Sequence, residues 1–195
     1  MTYYPAFLNL KGKSVLLFGA GQVALRKAKS LVAAGAKLTV ISKEFSPAFS
    51  RFTKSKKIKL KKGSQIPAGL NVSLVISATS DPVFNASVYR ACQKKRILVN
   101  VIDDPAHSSF IVPSVIKRGN LQIAISTGGA SPALAKLLRQ KFETELNSKY
   151  GDLVQYLKKQ RGKVKQMIFN SKDRQKYFKS LVESKLGELT RGSKK

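Results

Sequence analysis

One stretch near the start of the chain constrains the fold more than any other. The apolar run from Val15 to Phe18 predicts a parallel strand that is buried on both faces. The residues Gly19-Ala20-Gly21-Gln22-Val23-Ala24 follow at once as G-x-G-x-x-A, in which Gly19 permits a tight turn and Gly21 lets a pyrophosphate approach the backbone. Apolar residues then recur at helical spacing, and Leu38 to Ile41 predict a second strand. The order of these elements predicts a dinucleotide-binding β-α-β unit.

The residues after the second predicted strand leave the choice between NAD and NADP open. An Asp or Glu usually binds the adenosine ribose there, but this chain has Ser42 followed by Lys43 and Glu44. Glu44 is within reach of a ribose hydroxyl, and Lys43 suits a 2′-phosphate. Thr79 is a further candidate, because it follows a buried strand whose carboxyl end should border the same cleft. The structural alternatives are a glycine turn that only joins strand to helix and a Thr79 that only caps the next helix.

The balance of charge indicates an anionic partner. The chain has 37 Lys and Arg against 10 Asp and Glu, a formal net charge of +27. Such a surface attracts nucleic acid, anionic lipid or small polycarboxylates through a field that salt screens. An NAD-sensing nucleic-acid-binding module is disfavoured, because the sequence lacks a helix-turn-helix pattern and aromatic residues do not alternate with the basic runs. The lysine-rich stretch from Lys54 to Lys62 is interpreted as a solvated edge strand.

The single cysteine and the distribution of apolar residues indicate the cellular compartment of the protein. Cys92 excludes an internal disulfide, fits a reducing compartment, and lies in a helical pattern typical of a packed thiol. With one cysteine and one histidine, no Cys/His cluster builds a metal site. The N-terminus lacks the pattern of a signal peptide, and no apolar run is long enough to span a bilayer. These features predict a cytoplasmic protein with no membrane partner.

Two adjacent acids follow the predicted strand from Ile97 to Ile102. Successive strand residues point to opposite faces, so Asp103 and Asp104 do not form a dyad. We expect one of them to face the cleft and the other to cap the turn into Pro105. The residues alone favour an ordinary Asp-Pro turn over a catalytic acid.

The pattern changes in the second half of the chain. Two stretches, Phe110–Pro113 and 121–126, predict the strands of a hairpin-like insertion. Ser131 then predicts the cap of a long amphipathic helix whose apolar stripe is suited to another subunit. Two more amphipathic helices are expected after Gly151.

Several of these motifs together resemble one known family. The stretches that carry the resemblance are GAGQVALRKAKSL, SATSDPVFN, NVIDDP and SFIVPSVIKRGNLQIAISTGGASPALAKLLR. They are similar to the precorrin-2 dehydrogenase/sirohydrochlorin ferrochelatase family of sirohaem biosynthesis, over nearly the whole chain. The resemblance implies an α/β fold: an NAD-binding Rossmann-like parallel sheet domain (1–112), a dimerisation segment (113–150), and a small helical C-terminal domain with a basic tail (151–195). It also implies a homodimer.

The resemblance further implies an activity, NAD-dependent oxidation of precorrin-2 to sirohydrochlorin, and in some members insertion of Fe²⁺ at the same site. The chain resembles the stand-alone members, because it shows no fused methyltransferase domain. Precorrin-2 carries many carboxylates, which gives the positive charge a physical reason. Lys117, Arg118, Lys136 and Arg139 are candidate carboxylate ligands by position alone.

The same motifs imply roles for individual residues of this sequence. The residues that match the family's NAD-binding turn and its cofactor-contacting loop are Gly19, Gly21, Gln22, Val23, Lys43 and Glu44. Asp103 matches the family aspartate assigned to catalysis and is the candidate general base. Asp104 departs from the pattern as a second acid. For His107, delivery of iron and simple exposure are the two hypotheses.

Overall fold

The computed structural model describes residues 3–54 and 56–191. It divides into two compact units, Met1–Val112 and Pro113–Lys195. The elements of the first unit are β1 (Ser14–Phe18), α1 (Gln22–Ala33), β2 (Lys37–Ser42), α2 (Pro47–Lys54), β3 (Lys59–Lys62), β4 (Leu74–Ser77), α3 (Pro82–Lys94), β5 (Leu98–Val101) and a short 3₁₀ helix (Pro105–His107). Those of the second are β6 (Ser114–Arg118), β7 (Leu121–Ile125), α4 (Pro132–Glu145), α5 (Ser148–Met167) and α6 (Ser171–Arg191).

The sheet of the first unit is parallel, with the strand order β3-β2-β1-β4-β5. The chain runs outward from β1 to β3 and then returns to the other side of β1 to form β4. The strand order therefore reverses between β1 and β4, and ligands of open α/β sheets bind at the carboxyl ends of the strands at such a point. The predicted Rossmann-like α/β fold is confirmed.

The core lies on both faces of β1. Val15 and Leu17 pack with buried side chains of α1, whereas Leu16 and Phe18 pack on the opposite face with side chains of α3. Alternate residues of a strand point to opposite faces, so a strand covered on both sides must be apolar throughout. Cys92 belongs to the second of these clusters and is fully buried, which confirms the prediction of a packed thiol.

The two edges of this sheet are protected in different ways. All four residues of β3 are exposed, three of them lysines, and this confirms the solvated edge strand. At the other edge, the backbone N–H groups of Val99 and Val101 donate to the hydroxyls of Ser109 and Ser108 at 2.8 and 2.9 Å. The segment after β5 therefore folds back along that strand and fixes the turn at its end.

The hairpin of the second unit begins later than the sequence predicts. β6 and β7 are antiparallel, with Arg118 opposite Leu121 across the two-residue turn Gly119-Asn120. That turn sets the register and pairs Ser114–Arg118 with Leu121–Ile125, so a first strand over Phe110–Pro113 is wrong. Phe110 instead packs against the core of the first unit.

Gly151 also has a different role from the expected one. α5 begins at Ser148 and continues through Gly151, which is buried. A Cβ at this position would lie 2.8 Å from the carbonyl oxygen of Arg118, so the glycine permits close packing of α5 on the hairpin. The segment and domain division at residue 150 stays a prediction. Residues 192–195 of the basic tail lie outside the described residues. No helix described here is long and apolar enough to cross a membrane.

Candidate functional site

A cleft of about 680 Å³ lies at the carboxyl ends of β1, β2 and β4. Its volume is within the range typical of small-molecule sites. Five of the residues singled out in the sequence line it: Gly19, Gly21, Lys43, Glu44 and Thr79. Three separate strand ends therefore bring these residues to one cavity.

Gly19 and Gly21 are glycines for different steric reasons. Gly19 has φ +94°, and a Cβ there would lie 2.3 Å from the carbonyl oxygen of Ala78 at the end of the neighbouring strand. Gly21 has nothing within 4 Å of the position of a Cβ, so its side-chain space is open. Gly19 is needed for the protein to fold, whereas the space at Gly21 is available to a ligand.

The start of α1 suits an anionic group. Gly21 is its N-cap residue and supplies no side-chain hydrogen bond, so the first backbone N–H groups of the helix have no capping partner. Gln22 and Val23 are the first two helical residues, and both are exposed beside the cleft lining rather than in it. Uncapped N–H groups and the positive end of the helix dipole fit the pyrophosphate of a dinucleotide.

Lys43 and Glu44 form the wall of the cleft beyond β2. Both are exposed, and the Ser42 hydroxyl donates a hydrogen bond of 2.6 Å to the carbonyl oxygen of Glu44, which closes a tight turn. The turn presents one cation and one anion where the adenosine ribose of a dinucleotide is expected.

Thr79 is held by a buried residue that the sequence reasoning missed. The hydroxyls of Ser77 and Thr79 both donate to Oδ1 of Asn85 at 2.7 Å, and Nδ2 of Asn85 donates to the carbonyl oxygen of Thr79 at 3.1 Å. Thr79 Oγ1 also accepts from the backbone N–H of Asp81, which caps α3. The signal was an asparagine on the buried stripe of α3, with Val88 and Cys92.

Asp103 follows β5 at the same edge of the sheet. It has φ +59°, a left-handed conformation in which Asp is enriched among non-glycine residues, and its side chain is exposed outside the cleft lining. Burial lowers the pKa of Lys27 on α1 and Arg26 lowers it further, while attraction to the Asp103 carboxylate opposes both. Asp103 therefore lies close enough to α1, the helix that starts at the glycine turn, to interact with its Lys27.

Asp104 has a structural role. Its carboxylate accepts from the backbone N–H of His107 at 3.1 Å and from His107 Nδ1 at 2.7 Å, and it caps the short 3₁₀ helix. The hydrogen bond from the imidazole lowers the pKa of Asp104. The His107 ring lies against Tyr89 and its side chain is 39% exposed, so delivery of iron and simple exposure both stay predictions. No group of three His, Cys, Asp or Glu side chains suited to a metal occurs within the described residues.

The two arginines that the sequence offers as ligands of substrate carboxylates bind other groups of the second unit. Arg118 donates from Nε to the carbonyl oxygen of Leu146 at 2.7 Å and from Nη2 to that of Glu143 at 3.0 Å, at the end of α4. Arg139 forms an ion pair of 2.5 Å with Glu143. Both arginines thus stabilise the second unit, whereas Lys117 and Lys136 are exposed.

The strand order, the glycine turn and the open start of α1 define a dinucleotide-binding protein. Residues 6–114 match a family model described as NAD(P)-binding, and residues 118–145 match the sirohaem biosynthesis protein central model. The chain belongs to this NAD(P)-binding family, and its resemblance to the precorrin-2 dehydrogenase and sirohaem synthase family is confirmed. The prediction of a nicotinamide dinucleotide cofactor is likewise confirmed.

Individual relatives agree with that assignment. The chain is 41% identical over 185 residues to Siroheme synthase 2 of Aeromonas salmonicida, covering 94% of this chain and 38% of the relative. It is 39% identical over 185 residues to Siroheme synthase of Buchnera aphidicola, covering 94% and 39%. The chain thus spans about two fifths of the length of these relatives. A solved structure titled SirC, precorrin-2 dehydrogenase, matches with a TM-score of 0.75 and 26% identity over 92% of this chain and 89% of that one.

Proposed function

We propose that the protein oxidises precorrin-2 to sirohydrochlorin with NAD as the acceptor. The observation that carries the proposal is the similarity, over 92% of the chain, to a protein titled precorrin-2 dehydrogenase. The cleft at the strand ends supports it, because the residues present there fit the cofactor: an open glycine, an uncapped helix start and a polar loop beyond β2.

The strand order orients the cofactor. In the arrangement usual for such sheets, the pyrophosphate would bind at the turn after β1, and Lys43 and Glu44 would hold the adenosine ribose beyond β2. The nicotinamide half would then extend the other way, toward β4 and β5. Asp103 follows β5 and therefore lies on the nicotinamide side of the sheet edge.

The reaction removes one hydride and one proton from the reduced macrocycle. NAD, when bound, would supply the hydride acceptor. Asp103 takes the proton as general base, and it is available for this because it forms no side-chain hydrogen bond with any described residue. Thr79, held by Asn85, and the glycine turn position the cofactor, so the protein's main task is to hold two ligands in reacting geometry.

The direct test is an anaerobic assay with precorrin-2 and either NAD or NADP, following the appearance of the sirohydrochlorin spectrum. We expect oxidation with NAD at a higher kcat/KM than with NADP, because Glu44 favours a free ribose hydroxyl. Absence of oxidation with both cofactors would refute the proposal, and a preference for NADP would assign Lys43 the dominant role.

Replacement of the proposed general base tests the mechanism most directly. We predict that Asp103→Asn lowers turnover by roughly 10²–10⁴-fold while NAD binding is nearly unchanged, because the base acts on the substrate alone. Asp104→Asn is the matched control, since it removes an adjacent carboxylate that caps the 3₁₀ helix. Unchanged single-turnover oxidation by Asp103→Asn would reject the assignment.

Insertion of Fe²⁺ into sirohydrochlorin is a separate prediction. The tetrapyrrole nitrogens would bind the metal, with Asp103 assisting removal of the pyrrole protons. Nδ1 of His107 is occupied by Asp104, so only Nε2 is available for delivery of iron. Incubation with sirohydrochlorin and Fe²⁺ or Co²⁺, without NAD, tests the activity against the spontaneous rate.

A homodimer is proposed on the apolar surface of the second unit. Leu134 and Leu137 on α4 are 48% and 62% exposed, and Val115 on β6 is 42% exposed. Exposed apolar side chains on these two elements favour burial against another chain. We expect light scattering to give twice the mass of 21.4 kDa, and a monomer across the micromolar range would contradict this. A cytoplasmic location remains a prediction from the sequence.

A further inference from the structure

A groove of about 870 Å³ lies between α5 and α6, entirely within the second unit. Its walls combine apolar, cationic and neutral polar side chains. Leu157 of α5 and Phe178 and Val182 of α6 are apolar, whereas Lys158, Arg161, Lys165 and Arg174 are cationic. Among the described residues, no Asp or Glu lines this groove.

The cations of α5 are not neutralised by the protein itself. Lys158, Arg161 and Lys165 recur at intervals of three and four residues, so they lie on one face of the helix. None of them belongs to an ion pair in the part of the chain that the structure describes. Their mutual repulsion is relieved only by an anionic ligand or by counter-ions.

Arg174 is held in place before any ligand binds. Its Nη1 donates to the carbonyl oxygens of Ile168 and Phe169 at 2.7 and 2.6 Å, at the turn between the helices. Asn170 caps α6 at the same turn, where its Oδ1 accepts from the backbone N–H of Lys172 at 2.8 Å. A fixed guanidinium binds an anion with less loss of side-chain entropy than a free one.

We propose that this groove binds a polycarboxylate with a broad apolar body, the chemical class to which tetrapyrrole acids belong. The volume is within the range of small-molecule sites, and an apolar wall with several cations matches a macrocycle that carries acids at its rim. A second copy of the chain is not the proposed occupant, because the homodimer surface proposed above lies on α4 and β6. The ligand class matches the proposed substrate, but the site itself is additional to the cofactor cleft.

The test is a titration of the whole protein with uroporphyrin, an octacarboxylate porphyrin, followed by absorbance and fluorescence. The double variant Arg161→Glu/Lys165→Glu should bind at least about tenfold more weakly, as expected for lost charge-assisted contacts. The matched control is Lys159→Glu/Lys163→Glu, which alters the net charge equally on the same helix but outside the groove lining. It should change the affinity by less than about threefold, because distant exposed charges are screened.

Two further measurements keep the outcomes distinct. Circular dichroism shows whether α5 stays helical in the Arg161→Glu/Lys165→Glu variant. If that variant loses helix, the titration is repeated with the neutral variant Arg161→Gln/Lys165→Gln. Mellitate, a polycarboxylate with a small ring, should compete weakly. If the groove and control variants weaken uroporphyrin binding equally, the net positive charge of the protein explains the binding and the proposal is overturned. If neither variant weakens uroporphyrin binding, the proposal is also overturned. Displacement of uroporphyrin by a long-chain fatty acid or an acidic helical peptide would assign the groove to that occupant instead. Precorrin-2 oxidation is assayed separately, so failure of either proposal leaves the other standing.

Discussion

Replacement of Asn85 by alanine should weaken the fold and the cofactor cleft together. The side chain of Asn85 makes three hydrogen bonds, two accepted from the hydroxyls of Ser77 and Thr79 and one donated to the Thr79 carbonyl oxygen. Asn85 and Ser77 are 8% and 0% exposed, so water does not readily replace the lost partners. At about 1 kcal/mol for each bond, Asn85→Ala should lower the free energy of unfolding by about 3 kcal/mol.

The effect on the cofactor follows from the position of Thr79. Its loop lines the cleft, and Asn85 is the residue that joins this loop to α3. When the loop is no longer held, the protein must order it during binding, and we expect the Kd for NAD to rise about tenfold, equivalent to about 1.4 kcal/mol.

The assay compares urea unfolding by circular dichroism with NAD binding by calorimetry. Ser87→Ala is the matched control, because Ser87 lies on the same helix and its hydroxyl donates only to the carbonyl oxygen of Phe84, in its own helix. The control should change the free energy of unfolding by less than about 0.5 kcal/mol. A destabilised Asn85→Ala protein with unchanged NAD affinity would refute the link between this network and the cleft, and unchanged stability would refute the hydrogen-bond argument itself.

The remaining predictions concern the two glycines and the cysteine. Gly21→Ala should unfold at the wild-type urea concentration yet bind NAD at least about tenfold more weakly in calorimetry, because its Cβ enters only the space open to a ligand. Gly19→Ala should instead reduce stability and soluble yield, since its Cβ meets a backbone carbonyl and its φ is positive; equal stability of the two variants would contradict this reading of the turn. Burial raises the pKa of the Cys92 thiol to about 11, so it should not react with a thiol-specific disulfide reagent at pH 8 until urea is added. Rapid labelling of the native protein would show that the thiol is accessible.

The sheet was predictable because its signals are local and repeated. The run around Leu17, the glycine turn and the helix start at Pro82 each follow from a few adjacent residues with one favoured conformation. The hairpin was placed wrongly because Phe110 to Pro113 has the composition of a strand, while the actual register depends on a two-residue turn several residues away. The helix was expected to begin only after Gly151, because the contact that requires this glycine, with the backbone of Arg118, is a tertiary contact.

The residues that line the cleft could be predicted because the order of the strands could be predicted. Once β1, β2 and β4 are adjacent, the residues that follow them must share one edge, which explains why Gly19, Lys43 and Thr79 meet. Asn85 was missed because its position on the apolar stripe of α3 indicates burial but does not indicate which groups it binds. Its partners are Ser77 and Thr79, eight and six positions away, and only the packing of α3 on the sheet brings them together.

The pair of acids after β5 shows how structure separates two residues that sequence leaves equivalent. A catalytic base needs a carboxylate that is free to accept a proton from the substrate, whereas a cap needs one that is already occupied by donors. Asp104 is occupied, because it accepts twice from His107 and its pKa is lowered as a result. Asp103 has a left-handed backbone and an exposed side chain, and the turn that imposes this conformation is anchored by the hydroxyl of Ser108. The capping function of Asp104 therefore supports the proposal that Asp103, rather than Asp104, takes the proton.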